Sequence, residues 1–249
     1  MNYVFENTIV TSVIDYLTII KKYFKSIKKM GWCYRGQSNI QWKLKPKAGR
    51  DEYYKQSWAE KFPDIPHYDL NRFNDWKHHA VGYIKNLPEH ELEQLALAQH
   101  YGLATRLLDW TNNPLVSLYF AVHENFDKDG VVYCYLGHYA ITRDNNNFQE
   151  IDKVCTYIPR KIFQRLINQQ GLFTYHPNPT ECLEPERANE IHKNISYNGL
   201  NLVKIIIPKE FKENILNELY ELGIDESFLF PDLDGVSKMI NMQTMMTNK

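Results

Sequence analysis

The chain has 249 residues, 43% of them hydrophobic and 24% charged, with a formal net charge of −1. This composition excludes a disordered or collagen-like chain and predicts one large folded domain or two small ones. No uncharged apolar run reaches the ~18 residues that a bilayer requires. The segment Met1–Glu6 lacks the basic and apolar regions of a secretory signal, so a cytoplasmic protein with no membrane partner is expected. Cys33, Cys134, Cys155 and Cys182 stand singly, which predicts reduced thiols rather than a disulfide frame or a zinc site.

In chain order, Val13, Leu17, Ile20, Phe24 and Ile27 recur at helical spacing and predict a basic amphipathic helix within residues 1–29, packed on the domain. Residues 21–50 contain ten of the 29 basic residues and none of the 30 acidic ones, with Tyr23, Trp32, Tyr34 and Trp42 interleaved. Such a stretch suits an anionic ligand, its cations on phosphates and its rings on bases. It reads equally as a solvated helix face followed by a basic loop. Trp32–Gly36 is expected to be a short strand with Arg35 at its end. Helices are expected over 69–86 and 89–101, the second closing at Gly102. A short extended or irregular segment then leads to Thr111, and a helix restarts at Pro114 behind the N-cap Asn113.

Gly130–Leu136, Gly171–Tyr175 and Leu202–Ile207 read as strands, and 161–168, 211–222 and 232–241 as helices. Residues 144–147 and 177–190 are expected loops, and 242–249 a frayed tail. The whole reads as a single α+β domain over residues 30–241, with a mixed sheet of short strands flanked by helices.

The nucleotide-binding glycine motifs, the nucleophile elbow and the zincin motif are all missing. The nine histidines are dispersed, Asp232 to Gly235 matches only half of a calcium loop, and no metal is expected. Two stretches are instead dense in special residues: Tyr34-Arg35-Gly36-Gln37, and Gln99 to Pro114 with its core Thr105-Arg106-Leu107-Leu108-Asp109-Trp110-Thr111. Arg35 and Arg106 each offer a planar fork for phosphate or carboxylate. Asp109 can hold one of them, or Arg106 and Asp109 can form a structural ion pair. Thr111 to Asn113 precede a helix N-terminus, where either an anion or an ordinary cap fits. Gln99 and His100 face the same loop, His100 as an acid/base or as a structural histidine.

These two segments, in this order, resemble the hallmarks of the FRG domain family, namely an aromatic-Arg-Gly triplet and a Q-H-x-G-x-x-T-R-L-L-D-W-T-x-N-P stretch. The resemblance extends over roughly residues 30–240, through Gln169 to Phe173 and Leu229 to Gly235. The order of Arg-bearing strand, Thr/Asn turn and Tyr119-Phe120-Ala121 helix is also similar in outline to ADP-ribosyltransferase-like folds. That similarity implies NAD as substrate, with Arg35 on its phosphate or ribose side and Thr111 to Asn113 as pocket wall. It implies a third catalytic group from Gln169, Gln170 or Glu226, with His100 as a further candidate. Tyr34, Gly36, Gln37, Gln99, Thr105, Arg106, Asp109, Trp110, Thr111 and Asn113 would then surround the ligand. The implied function is an NAD-consuming enzyme that hydrolyses NAD or transfers ADP-ribose to protein or nucleic acid, as a toxin or anti-phage effector. The alternatives are a non-catalytic nucleic-acid- or nucleotide-binding module, and a nuclease or phosphotransfer enzyme using His100, Asp109 and Arg35.

Overall fold

The computed structural model describes residues 4–5, 9–24, 31–54, 68–137, 139–141, 148–160, 163–189 and 192–247. Among them eight α-helices and six strands occur: α1 (Val13–Tyr23), β1 (Trp32–Gln37), α2 (Tyr68–Ala80), α3 (Glu91–His100), β2 (Leu107–Thr111), α4 (Pro114–Val122), β3 (Gly130–Leu136), β4 (Cys155–Tyr157), α5 (Gln164–Asn168), β5 (Gly171–Tyr175), β6 (Leu202–Ile207), α6 (Lys212–Glu221), α7 (Glu226–Leu229) and α8 (Leu233–Thr247). The strands make one sheet in the order β4-β5-β2-β1-β3-β6. The fold is α+β, and every neighbouring pair is antiparallel, so the sheet is not mixed. Strand direction is decided by how the connections run, which no local hydrophobic pattern encodes.

Side chains alternate across each strand, and the alternation sorts the core. Trp32 and Tyr34 of β1, with Val132 and Cys134 of β3 and Val203 and Ile205 of β6, pack against α1, α4 and α6. On β2 and β5, Leu107, Phe173 and Tyr175 meet Leu70 and Phe73 of α2 and Leu92 and Leu95 of α3. The opposite face of the sheet, carrying Cys33, Leu108, Trp110, Tyr133 and Leu172, is covered by loop residues Leu44 and Leu183.

Several expected elements have different extents. The helix at the start closes at Tyr23, and residues 25–29 lie outside the described residues, as do 55–67 and 144–147. Helix α8 runs on to Thr247, so the expected frayed tail is largely helical. Its Met and Gln residues are good helix formers and need no apolar stripe to continue a turn. Strand β4 is three residues long and is held by pairing to β5, too short for alternation to show.

Helix α4 is the element the local chemistry specifies most fully. The Asn113 side chain accepts from the Leu115 N–H at 3.0 Å and Pro114 occupies the first turn, as a capped start requires. It then crosses β1 at Gly36, where a Cβ would lie 1.8 Å from the Ser117 carbonyl oxygen. The glycine of the aromatic-Arg-Gly triplet is thus a contact point between helix and strand.

Candidate functional site

The sheet parts where these motifs meet. β1 pairs with β3 through six residues, but with β2 only at Tyr34–Thr111. Beyond that pair the strands diverge, and the Arg35 side chain spans the gap, NH1 donating to the Asp109 carbonyl at 2.8 Å and lying 3.7 Å from Asp109 Oδ2. Desolvation pulls the Arg35 pKa below its ordinary value and the nearby Asp109 charge opposes this. The Asp109 carboxylate is 64% exposed while the Arg35 side chain is 16% exposed, so the carboxylate stands at the mouth and the arginine forms the wall.

Asp109 is itself positioned. Gln99 Nε2 donates to its Oδ1 at 2.7 Å, and Thr105 Oγ1 donates to Gln99 Oε1. The Leu107 N–H donates to Thr105 Oγ1 at 3.1 Å, which ties this relay to the start of β2.

Two chambers share Arg35, Gly36, Arg50 and Phe120. The inner one, about 330 Å³, adds Lys47, Arg165, Asp109, Thr111 and Gln169. The outer one, about 660 Å³, adds Gln37, Ser38, Trp42, Lys43, Lys45 and His123, with Asp51, Glu52 and Glu124. The inner chamber therefore sets four cations against one carboxylate, whereas charge in the outer chamber is nearly balanced. Arg165 also stacks over Phe230 at 4.6 Å. The outer wall is held by Lys212, a fully buried lysine whose Nζ donates to the carbonyls of Ser38, Glu124 and Asn125 at 2.6–3.0 Å.

Of the residues singled out in the sequence, Tyr34, Arg35, Gly36, Gln99, Asp109, Trp110, Thr111 and Gln169 line the inner chamber and Gln37 the outer. Thr105 acts through Gln99. Thr111 Oγ1 donates to the Gln169 carbonyl at 2.5 Å, and Gln169 Nε2 donates to the Leu229 carbonyl at 3.0 Å. Gln170 takes a positive φ of 46° and its carbonyl accepts from the Asn112 N–H, so it shapes the turn. Asn113 is the helix cap.

Three candidates lie elsewhere. Arg106 is 1% exposed and pairs with Asp69, not Asp109: Nε to Oδ2 is 2.7 Å and NH2 to Oδ1 2.8 Å, with NH1 donating to the Tyr175 hydroxyl. It braces α2 against the sheet and lines neither chamber, its guanidinium being taken up by Asp69, Tyr175 and the Pro177 carbonyl. Glu226 is buried and accepts from the hydroxyls of Tyr119 and Tyr220, outside both chambers. His100 stacks on Phe163 at 4.0 Å in a separate hollow of about 70 Å³ that also meets Asp109 and Gln169. Burial, followed by the Arg165 charge, lowers its pKa.

Sequence reasoning missed Arg165, Phe120 and His123 as lining residues. Arg50 and Lys47 were visible only as members of the basic run, and nothing local marks Arg165. Among the described residues no group of three or more His, Cys, Asp or Glu side chains is arranged to hold a metal ion, and Asp232 caps α8 by accepting from the Gly235 N–H.

Residues 30–130 match the model of the FRG domain family. The matched segment spans β1 through the first residue of β3, and so includes the Arg35–Asp109 bridge, the Gln99 relay and α4, while Arg165, Gln169 and Glu226 lie beyond it. No curated protein and no solved structure matches the chain. Among the described residues no helix is long and apolar enough to cross a membrane.

Proposed function

We propose that the cleft binds a nucleotide through its phosphates and that the chain consumes NAD, either hydrolysing it or passing ADP-ribose to an acceptor. The observation that carries this reading is the split in the sheet, where a desolvated Arg35 fork stands beside an exposed, positioned carboxylate. Arg35 and Arg50, shared by both chambers, suit a diphosphate. Asp109 supplies the carboxylate that the sequence reading sought in Gln169, Gln170 or Glu226. In the proposed step the C1′–N bond of NAD breaks and its electron pair leaves with neutral nicotinamide. Asp109 stabilises the oxocarbenium-like ribose, and water or an acceptor hydroxyl adds at C1′, giving up its proton to bulk water.

The test is nicotinamide release from NAD by the purified protein, alone and with nucleic acid or cell lysate. Release that is lost in Asp109→Asn while NAD still binds, and lost together with binding in Arg35→Ala, is the expected result. No release from the unmodified protein under any of these conditions overturns the catalytic reading.

A second reading, a binding module without chemistry, is favoured by Trp42, which is 44% exposed on the outer chamber just ahead of Lys43 and Lys45. Aromatic rings beside cations hold single-stranded nucleic acid by stacking and phosphate contact. Salt-dependent binding of single-stranded RNA or DNA without NAD turnover is its mark.

A further inference from the structure

Among the described residues, four buried side-chain polar atoms have no hydrogen-bond partner: Arg35 Nε, Gln37 Oε1, Glu93 Oε1 and His123 Nδ1. Glu93 Oε1 lies 3.3 Å from Arg160 Nε and so has a charge partner. His123 is drawn to the Phe120 backbone, which leaves Arg35 Nε and Gln37 Oε1, both on side chains that line the outer chamber. An orphaned buried polar group is costly, and such groups are rare in folded proteins. Two in one cleft mark a place where a ligand completes the hydrogen bonding.

Their chemistry limits the ligand. Arg35 Nε is a donor and asks for an acceptor such as phosphate oxygen. Gln37, 4% exposed and paired on β1 with Val131, presents an acceptor oxygen that phosphate cannot satisfy. The nearby carboxylates Asp51, Glu52 and Glu124 are acceptors as well. The surroundings are firm: Ser38 Oγ donates to Glu124 Oε1 at 3.0 Å, and Asn125 Nδ2 to Ser38 Oγ at 2.8 Å. A molecule that fits carries phosphate at the Arg35 end and hydroxyl or amine donors at the Gln37 end.

We infer that the outer chamber takes the nucleoside end of the ligand, with Gln37 a specificity-determining residue that accepts a hydrogen bond from a ribose hydroxyl or base amine. The inference rests on the proposal that the cleft binds a nucleotide. Phe120, which lines both chambers, then lies alongside the sugar and base.

Calorimetric titration of the full chain with ADP and with inorganic diphosphate tests it, with thermal unfolding run on the same samples. The unmodified protein should bind ADP at least tenfold more tightly than diphosphate. In Gln37→Leu that ratio should fall towards one with diphosphate binding unchanged, and the melting temperature should hold or rise because an unsatisfied oxygen is gone. A folded Gln37→Leu that keeps the full ADP preference overturns the inference, as does an unmodified protein that binds both probes equally. If Gln37→Leu does not fold, Gln37→Met carries the same reading.

Nicotinamide release separates the two proposals. A Gln37-dependent ADP preference without NAD turnover overturns the catalytic reading and keeps the subsite. NAD turnover with no dependence on Gln37 does the reverse, and failure to bind either probe overturns both.

Discussion

Replacing Arg106 by methionine separates structure from function within the Thr105–Thr111 motif. The arginine is buried, makes two hydrogen bonds of 2.7 and 2.8 Å to Asp69, and donates to the Tyr175 hydroxyl and the Pro177 carbonyl at 3.0 and 3.1 Å. Asp69 is itself only 9% exposed. The substitution strands its carboxylate in the interior, and breaking a buried pair from one side costs ~3–5 kcal/mol. For a chain of this size ~1 kcal/mol shifts the melting temperature by ~2–4 °C, so a drop of roughly 10 °C is expected by differential scanning calorimetry. The double variant Asp69→Leu with Arg106→Met, which removes both charges, should regain most of that loss. A single variant that melts within about 2 °C of the unmodified protein, or that folds normally while losing nucleotide binding, would refute the structural assignment.

Further outcomes follow from the same geometry. Gly36→Ala places a methyl group 1.8 Å from the Ser117 carbonyl, and overpacking against rigid backbone should cost about 3 kcal/mol or more, read as a lower urea midpoint or loss of soluble protein. His176 is 2% exposed, and burial, aided by the Arg35 charge, lowers its pKa from 6.5 to about 4. The unfolded chain therefore binds the extra proton first as pH falls. Stability from this group is full above pH 6.5 and is lost as pH drops towards 4, by ~3 kcal/mol at ~1.4 kcal/mol per pH unit. Denaturation midpoints at pH 7 and pH 4.5 should converge in His176→Gln relative to the unmodified protein, and an unchanged pH slope contradicts the assignment.

What the sequence reveals about this molecule divides along the range of the interactions. The start of α4 is written into adjacent residues, because an Asn cap and a first-turn Pro act locally. Strands β3, β5 and β6 show as apolar, β-branched or aromatic runs of five to seven residues. Arg35 and Asp109 can be singled out as chemistry-bearing, and the cleft does bring them together. The partner of Arg106 cannot be read the same way: Asp69 is 37 residues distant, and Asp109 is the nearer acid in the chain. Arg165 reaches the cleft only because α5 and β5 bring it there. Glu226 follows another acid, Asp225, in sequence, and only the fold shows two tyrosine hydroxyls closing on it.

Near the middle of the sheet, Tyr34–Thr111 is a single tie, while the other neighbouring strands are joined by three to six residue pairs. Within the sheet this makes two three-stranded leaves, β4-β5-β2 and β1-β3-β6, paired through one residue on each side, with α4 packed across the seam. Arg35 belongs to one leaf and Asp109 to the other. A ligand gripped by both bridges the seam, and slower amide exchange along the facing edges of β1 and β2 on its addition is the expected sign.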